Sequence, residues 1–87
     1  MNKETIEKRK DLRMHLLIHL YEHYFKNKDK ARYLRMKTED IIADSETELA
    51  YKYLVDKGFV KNQSASSITT LIITVDGIDF LESHILN

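Results

Sequence analysis

This sequence of 87 residues has no cysteine, no proline, no tryptophan and only two glycines. The lack of cysteine excludes zinc sites built on thiolates, thiol redox motifs and thiol nucleophiles. The sequence also has no apolar run long enough to span a bilayer. Residues 1–8 lack the apolar stretch that a secretory signal requires, so we expect a cytoplasmic location.

Length and composition predict one small globular domain. A chain of this size falls within the range of a single domain and, once folded, removes only about two-thirds of its extended surface from water. Hydrophobic residues make up 43% and charged residues 32%, which excludes a charge-dominated disordered chain. We expect residues 1–87 to share one modest core. Residues 3–11, nearly all charged, are expected either to fray or to form a solvated extension that a partner could contact.

The formal net charge is zero, but the charges are unevenly distributed along the sequence. Residues 1–37 carry eleven Lys or Arg against five Asp or Glu, a balance of +6, and residues 38–87 carry three against nine, a balance of −6. Six cations lie in the densest positive stretch: Lys26, Lys28, Lys30, Arg32, Arg35 and Lys37. This stretch is either a phosphate-binding surface or an ordinary solvated connection.

The first predicted element is an amphipathic helix over about residues 5–27. Helical spacing gathers its apolar residues into one wide arc: Met14, Leu16, Leu17, Ile18, Leu20, Tyr21, Tyr24 and Phe25. Three histidines repeat every four residues on the other side: His15, His19 and His23. Two histidines at this spacing can bind a divalent metal, but three on one helix do not all reach one ion. We therefore favour ordinary surface histidines, with a metal site or a protonation-sensitive dimer interface as the alternatives.

Two short elements are predicted before the middle of the chain. Alternation over residues 32–36 predicts an edge strand with Leu34 and Met36 on one side. Thr38 is then expected to cap a helix of one or two turns, with two acids in its first turn.

A capping box predicts where the next helix begins. Ser45 and Glu48 have the spacing at which the serine caps the helix and the glutamate bonds back to the serine amide. Gly58 is expected to take the left-handed conformation at the helix end, and Phe59 to make the apolar contact of a Schellman-type ending. The inner face of this helix is predicted to consist of Leu49, Ala50, Tyr53 and Leu54. Its exposed face is predicted to consist of Glu48, Tyr51, Lys52 and Val55.

A β-hairpin and a final helix complete the predicted order of elements. The hairpin is expected to have strands over residues 59–61 and 68–75, joined by a polar loop at 62–67. Thr74 or Asp76 can cap the last helix. Its apolar stripe is predicted to consist of Ile78, Leu81 and Ile85, with Phe80 as a further candidate.

Two motifs in this order resemble parts of a known fold family. Residues 54–60, Leu-Val-Asp-Lys-Gly-Phe-Val, look like the usual exit from a recognition helix. Residues 73–81, Ile-Thr-Val-Asp-Gly-Ile-Asp-Phe-Leu, look like the return from a wing into a final helix. Together they resemble the winged helix-turn-helix domain of bacterial transcription regulators, including the MarR-type and PadR-type groups. With the first helix included, the resemblance covers nearly the whole chain. It implies an α+β fold with a three-helix core, a β-hairpin wing and a C-terminal helix.

The resemblance also implies a function, which is transcription regulation by binding double-stranded DNA. The recognition helix, near residues 45–57, would enter the major groove, and the wing tip, near 62–67, would lie against the backbone. Base-edge contacts are expected from Ser45, Thr47, Tyr51 and Lys52. Phosphate contacts are expected from Lys26, Lys28, Lys30, Arg32, Arg35, Lys37 and Lys61. We expect a homodimer joined through the first or last helices, which would favour a near-palindromic target.

Departures from the family pattern leave a second function open. The predicted wing tip has no Lys or Arg, with Lys61 only at its base, and the predicted recognition helix carries carboxylates that oppose phosphate. The alternative is a winged helix that contacts proteins through Tyr51 and Val55. We expect neither enzyme activity nor a cofactor, because the sequence has no Gly-rich phosphate loop, no nucleophile elbow and no HExxH motif.

Overall fold

A computed structural model describes residues 2–27 and 32–86 of the chain as helices around one small antiparallel sheet. The helices are α1 (Lys3–Lys26), α2 (Thr38–Ile42), α3 (Ser45–Asp56) and α4 (Val75–Leu86). The strands are β1 (Leu34–Lys37), β2 (Val60–Ala65) and β3 (Ile68–Ile73). The α+β class and the order of elements expected from the sequence are confirmed.

The three strands form a sheet in the order β1-β3-β2, so β3 lies in the centre. Alternation along β3 places Thr69, Leu71 and Ile73 on the inner face, where all three are buried. The edge strand predicted from alternation is confirmed as β1, with Leu34 and Met36 half-buried and the residues that follow them exposed.

The hairpin is tighter than the sequence predicts. Residues 62–65, expected to lie in a polar loop, continue β2 and pair with β3 as far as Ala65 opposite Ile68. Only Ser66 and Ser67 remain to connect the strands, and Ser66 takes a φ of 60° in the left-handed region. The loop prediction was wrong because the β-branched strand β3 supplies a backbone template with which polar residues pair as well as apolar ones.

The core lies between α1, α3 and the inner face of the sheet. It is built from buried residues of every helix and of two strands: Leu17, Leu20, Ile41, Tyr51, Leu54, Val60, Leu71, Ile73 and Leu81. Most of these are aliphatic, and together they supply the apolar burial that stabilises a chain of this size.

The buried face of α3 differs from the prediction. Ala50, Tyr51 and Leu54 are buried, whereas Leu49 is 57% exposed and Tyr53 is 42% exposed. The helix is therefore rotated by about one residue, or roughly 100°, from the orientation that spacing suggested. Apolar residues occupy nearly every position from 49 to 55, so periodicity alone allowed two faces, and packing against the sheet selects the one that contains Tyr51.

Two of the predicted N-caps were wrong. The cap of α3 is Asp44, whose Oδ1 accepts from the Glu46 amide at 3.2 Å, so Ser45 is the first helical residue and no capping box forms. Thr38 begins α2 and does not cap it; its hydroxyl lies 2.8 Å from that of the buried Thr69. At α3, Asp44 caps the helix one residue before the position predicted for the cap. At α2, the Thr38 hydroxyl bonds to a side chain of the sheet and not to the helix backbone.

The C-terminus of α3 and the N-terminus of α4 follow the prediction more closely. Gly58 has a φ of 83°, and the amides of Gly58 and Phe59 donate to the carbonyls of Val55 and Leu54, which confirms the Schellman ending. Thr74 caps α4 by accepting from the Gly77 amide at 3.1 Å. Position 77 requires glycine, because a Cβ there would overlap the Phe59 carbonyl oxygen.

The terminal helices extend beyond the core. α1 begins at Lys3, capped by Asn2, so residues 3–11 belong to this helix. On α4, Leu81 is buried but Ile85 is 62% exposed, so the predicted stripe was wrong at that position. Within the described ranges, no helix combines the length and the apolar character needed to cross a membrane.

Candidate nucleic-acid interface

The outer face of the sheet gathers cations from two different strands. Arg35 lies opposite Thr70, Lys37 opposite Ile68, and Lys61 opposite Ile72. Directly paired residues project to the same side of a sheet, so these cations share one face with alternate residues of β3. We call this surface the basic sheet face; its members are Arg35, Lys37, Lys61, Gln63, Ala65, Ile68, Thr70 and Ile72.

The basic sheet face has a single sign of charge. Its three cations are exposed, and the three strands contain no Asp or Glu. Arg35 offers a planar fork of donors, whereas Lys37 and Lys61 act as compact positive charges. Ile68 and Ile72 are half-buried between them. This combination can hold phosphate oxygens while covering the apolar parts of a ligand.

The other predicted phosphate contacts do not all reach this face. Lys26 is exposed in the last turn of α1. Arg32 is half-buried, with its guanidinium carbon 4.7 Å from the centre of the Tyr24 ring, so a cation–π contact holds it near α1. Lys28 and Lys30 lie outside the described residues.

The predicted base-edge contacts are dispersed. Ser45 and Lys52 are exposed on α3. Thr47 is half-buried, and its hydroxyl donates to Asp44 Oδ2 at 2.8 Å. Tyr51 was wrongly placed on the surface: it is only 5% exposed, and burial raises the pKa of its phenol. A side chain in the core does not reach a base edge, so this part of the predicted interface is corrected.

The exposed side of the α2–α3 region is acidic and partly apolar. Glu39, Asp40 and Glu48 are exposed on these helices, as are Ile42 at 54% and Leu49 at 57%. Leu49 lines a groove with Arg9, Leu12 and Arg13 of α1. We call the five exposed residues, which do not all line one groove, the acidic corner. Ile42 and Glu48 line one groove of about 280 Å³ together with Lys52, which borders the corner. Carboxylates at this position would repel phosphate, and the resemblance placed the major groove here.

Sequence reasoning did not identify the acidic corner as a surface. Helical spacing assigns Leu49 to the core, and Ile42 belongs to an apolar pair that follows two acids. Leu49 directly follows the exposed Glu48, which is a signal in the sequence for exposure, whereas Ile42 lies between Ile41 and Ala43 and has no such signal.

Among the described residues, no group of three or more His, Cys, Asp or Glu side chains is arranged to hold a metal ion. His15 and His19 are exposed on α1. His23 Nε2 lies 3.1 Å from the Tyr33 carbonyl oxygen, which attaches the end of α1 to the chain entering β1. This contact accounts for His23 structurally.

A hollow of about 530 Å³ lies between α1, α3 and α4, away from the sheet's outer face. Phe59 and Phe80 stack along it with ring centres 4.6 Å apart, and His84 stacks on Phe80 at 4.8 Å. Lys10 and Lys57 lie at its rim. It is therefore an aromatic hollow with a mainly basic rim, without the paired carboxylates or nucleophile and base that hydrolytic chemistry uses.

Comparisons with protein-family models, with curated proteins and with solved structures give no match to this chain. The geometry and charge of the described residues are therefore the basis for the functional interpretation.

Proposed function

We propose that the chain is a small winged-helix protein of the transcription-regulator type that binds double-stranded DNA through its basic sheet face. The observed order of elements is the one expected of a winged helix-turn-helix domain, which supports the proposal. The antiparallel hairpin of β2 and β3, paired with the edge strand β1, supports the proposal, because a wing is a β-hairpin that follows the recognition helix.

The observation that carries the proposal is the convergence of Arg35, Lys37 and Lys61 on a face to which the described strands contribute no carboxylate. A duplex carries closely spaced phosphates with condensed counterions, and neutralising those phosphates with Lys and Arg releases the counterions. Because the cations come from two strands across the width of the sheet, they can contact several phosphates at once.

The proposed binding mode differs from the one implied by the resemblance. Tyr51 is in the core, and the acidic corner places carboxylates where α3 would meet DNA. Phosphate contacts position a protein on the duplex but carry no sequence information directly. We therefore expect binding with little sequence preference and a strong dependence on salt.

The test is a salt titration of duplex binding, measured by the fluorescence anisotropy of a labelled duplex. In the variant Arg35→Gln, Lys37→Gln, Lys61→Gln, the slope of log affinity against log salt should fall by up to about 0.9 for each phosphate that the variant no longer neutralises. The matched control is Lys3→Gln, Lys10→Gln, Lys57→Gln, which removes the same charge from exposed positions elsewhere.

Two results would contradict the proposal. Equal slopes for the two triple variants would mean that the wild-type affinity reflects overall charge and not this face. Absence of duplex binding by the wild type at low salt would remove DNA as the ligand.

A second candidate function, protein binding without DNA, is favoured by the exposed apolar residues of the acidic corner, Ile42 and Leu49. The surface expected for it from the sequence was wrong, because Tyr51 is buried and Val55 is half-buried. Exposed apolar side chains within a charged rim are typical of protein interaction sites. A wild-type chain that binds no duplex at low salt would favour this second function.

A further inference from the structure

The hollow of about 530 Å³ between α1, α3 and α4 has the size and the lining of a small-molecule site, and the proposed function makes no use of it. Pockets that bury small ligands usually enclose about 300–1,000 Å³ and are mainly apolar, with a few polar groups that fix the ligand. The apolar lining of this hollow includes the buried Leu17 and Leu54 and the half-buried Met14. Phe59 and Phe80 also line it, and we call it the aromatic hollow.

Charged side chains border this apolar lining with an excess of positive charge. Of the described residues that line the hollow, Lys10, Arg13 and Lys57 are cations and Asp11 is the one carboxylate. Lys10 is exposed on α1 and Lys57 is exposed at the C-terminal end of α3, so the cations come from two different helices. An anionic group at the opening would therefore be attracted from both.

The aromatic side chains of the hollow already contact partners through their ring faces. Phe80 stacks on Phe59 with ring centres 4.6 Å apart and on His84 at 4.8 Å. The Arg13 guanidinium lies 4.0 Å from the centre of the Tyr53 ring. Because these faces are engaged, a flat ligand would gain little stacking, and ring edges and aliphatic groups remain for contact. An alkyl chain suits this lining, since its burial requires no fixed ring geometry.

The lining residues of α1 set a direction for the ligand. Lys10, Met14 and Leu17 follow one another at spacings of four and three, so they lie on one face of the helix. Lys10 is exposed, Met14 is half-buried and Leu17 is buried, so the row runs from a charge in solvent to the core. With a rise of about 1.5 Å per residue, the row is about 10 Å long, which is similar to the extended length of decanoate.

We propose that the aromatic hollow binds one molecule of a medium-chain fatty acid. The carboxylate lies at the opening, near Lys10 and Lys57. The alkyl chain follows Met14 and Leu17 toward the core. The site does not depend on DNA binding, because none of the described residues that line it belongs to the basic sheet face.

The first test uses decanoate, kept below the concentration at which it forms micelles so that single molecules bind. Titration of the uniformly ¹⁵N-labelled chain, followed by amide NMR, should give saturable shifts centred on the hollow, at Met14, Leu54 and Phe80. Octanoate, which is two methylenes shorter, should bind about three- to ten-fold more weakly because it buries less apolar surface. Absence of saturable shifts with decanoate, or shifts centred on the groove of Ile18 and Ile85, would overturn the proposal.

Two further ligands test the head group and the chain separately. Decylammonium has the same chain with a positive charge, and it should bind about ten-fold more weakly than decanoate because the cations repel it. Naphthalene-2-carboxylate carries the same charge as decanoate on a flat ring, and it should also bind more weakly because the ring faces of the hollow are engaged. Equal binding of decylammonium and decanoate would overturn the proposal. Tighter binding of the flat ring would make the ligand a planar aromatic anion and overturn the fatty acid.

Substitutions at the opening should move the affinities of the two alkyl ligands in opposite directions. Lys10→Gln with Lys57→Gln should weaken decanoate binding about three- to ten-fold and strengthen decylammonium binding. Asp11→Asn should strengthen decanoate binding about two- to three-fold and weaken decylammonium binding. All three residues are exposed, so both variants should keep the wild-type fold. No change, or a change of the same sign for both ligands, would show that the head group does not lie at this opening and overturn the proposal.

Lys3→Gln with Lys26→Gln is the matched control for net charge. It removes two positive charges from exposed positions of α1 that do not line the hollow. The affinity for decanoate should stay within about two-fold of the wild-type value, because distant exposed charges are screened. A loss equal to that of the Lys10 and Lys57 variant would show an effect of net charge alone and overturn the site.

Discussion

At the scale of single residues, packing decides what a tyrosine does. Tyr51 is 5% exposed and belongs to the core cluster, and its hydroxyl lies 3.8 Å from the sulfur of Met36. Tyr53, two positions along, is 42% exposed and is covered on one side by the Arg13 guanidinium, 4.0 Å from its ring centre. Helical spacing predicted that Tyr53 would be buried and Tyr51 exposed, and the structure shows the reverse.

Substitution of Tyr51 tests this assignment. Tyr51→Ala should lower the free energy of unfolding by about 3–5 kcal/mol, as truncation of a large buried aromatic usually does. Tyr51→Phe should cost less than about 1 kcal/mol, because the hydroxyl makes only a weak contact with sulfur. Urea denaturation measures both changes. If Tyr51→Phe instead weakens duplex binding markedly without loss of stability, the hydroxyl contacts DNA and the correction is wrong.

At the scale of elements, one ion pair fastens the extension of α1 to the start of α3. Arg9 Nε donates to Glu46 Oε1 at 2.8 Å and Nη2 donates to Oε2 at 3.0 Å, a two-pronged contact between residues far apart in sequence. The hydrogen bond from Arg9 is the main cause that lowers the pKa of Glu46. The same bond raises the pKa of Arg9.

The lowered pKa of Glu46 predicts a pH dependence with a definite sign. A carboxylate whose pKa falls on folding stabilises the protein above its ordinary value, 4.5, and this stabilisation is lost as pH falls through the lower folded pKa. Glu46→Gln should therefore show a slightly lower Tm than the wild type at pH 7, and the difference should vanish in acid. Calorimetry across this range measures it.

Glu48→Gln is the control for this prediction, since it removes an exposed carboxylate from the same helix. A Tm difference for Glu46→Gln that persists unchanged in acid would show that the ion pair is not its cause.

At the scale of the whole molecule, the homodimer expected from the sequence stays a prediction. A groove of about 360 Å³ between α1 and α4 is its most suitable site, because it is lined by Ile18, Tyr21, Leu81 and Ile85. Tyr21 also donates to Glu82 Oε2 at 2.7 Å, which joins the two helices beside the groove. Ile85, at 62% exposure, is the apolar side chain that a partner would cover.

Ile85→Glu should prevent dimerisation through this groove, because it would bury unpaired carboxylates in an apolar contact. Sedimentation equilibrium should give a dimer for the wild type and a monomer for this variant. Val75→Glu, at the exposed start of α4, should leave the dimer intact. A wild-type monomer at all concentrations would refute the prediction.

The sequence by itself determined the elements and several of their ends. β-Branched runs, alternation at Leu34 and Met36, and the glycine at position 58 act locally, so their effects can be read without knowing the rest of the fold. The extent of the hairpin was less predictable, because its polar strand pairs only in the presence of β3.

Tertiary structure alone decided which residues form surfaces. α3 has apolar residues on most of its circumference, and only packing against the sheet selected Tyr51 for the core and Leu49 for solvent. Likewise, strand register and not sequence distance brings Lys61 onto the same face as Arg35 and Lys37. The position of each of these charges therefore depends on non-local strand pairing, which the distribution of charge along the sequence does not show.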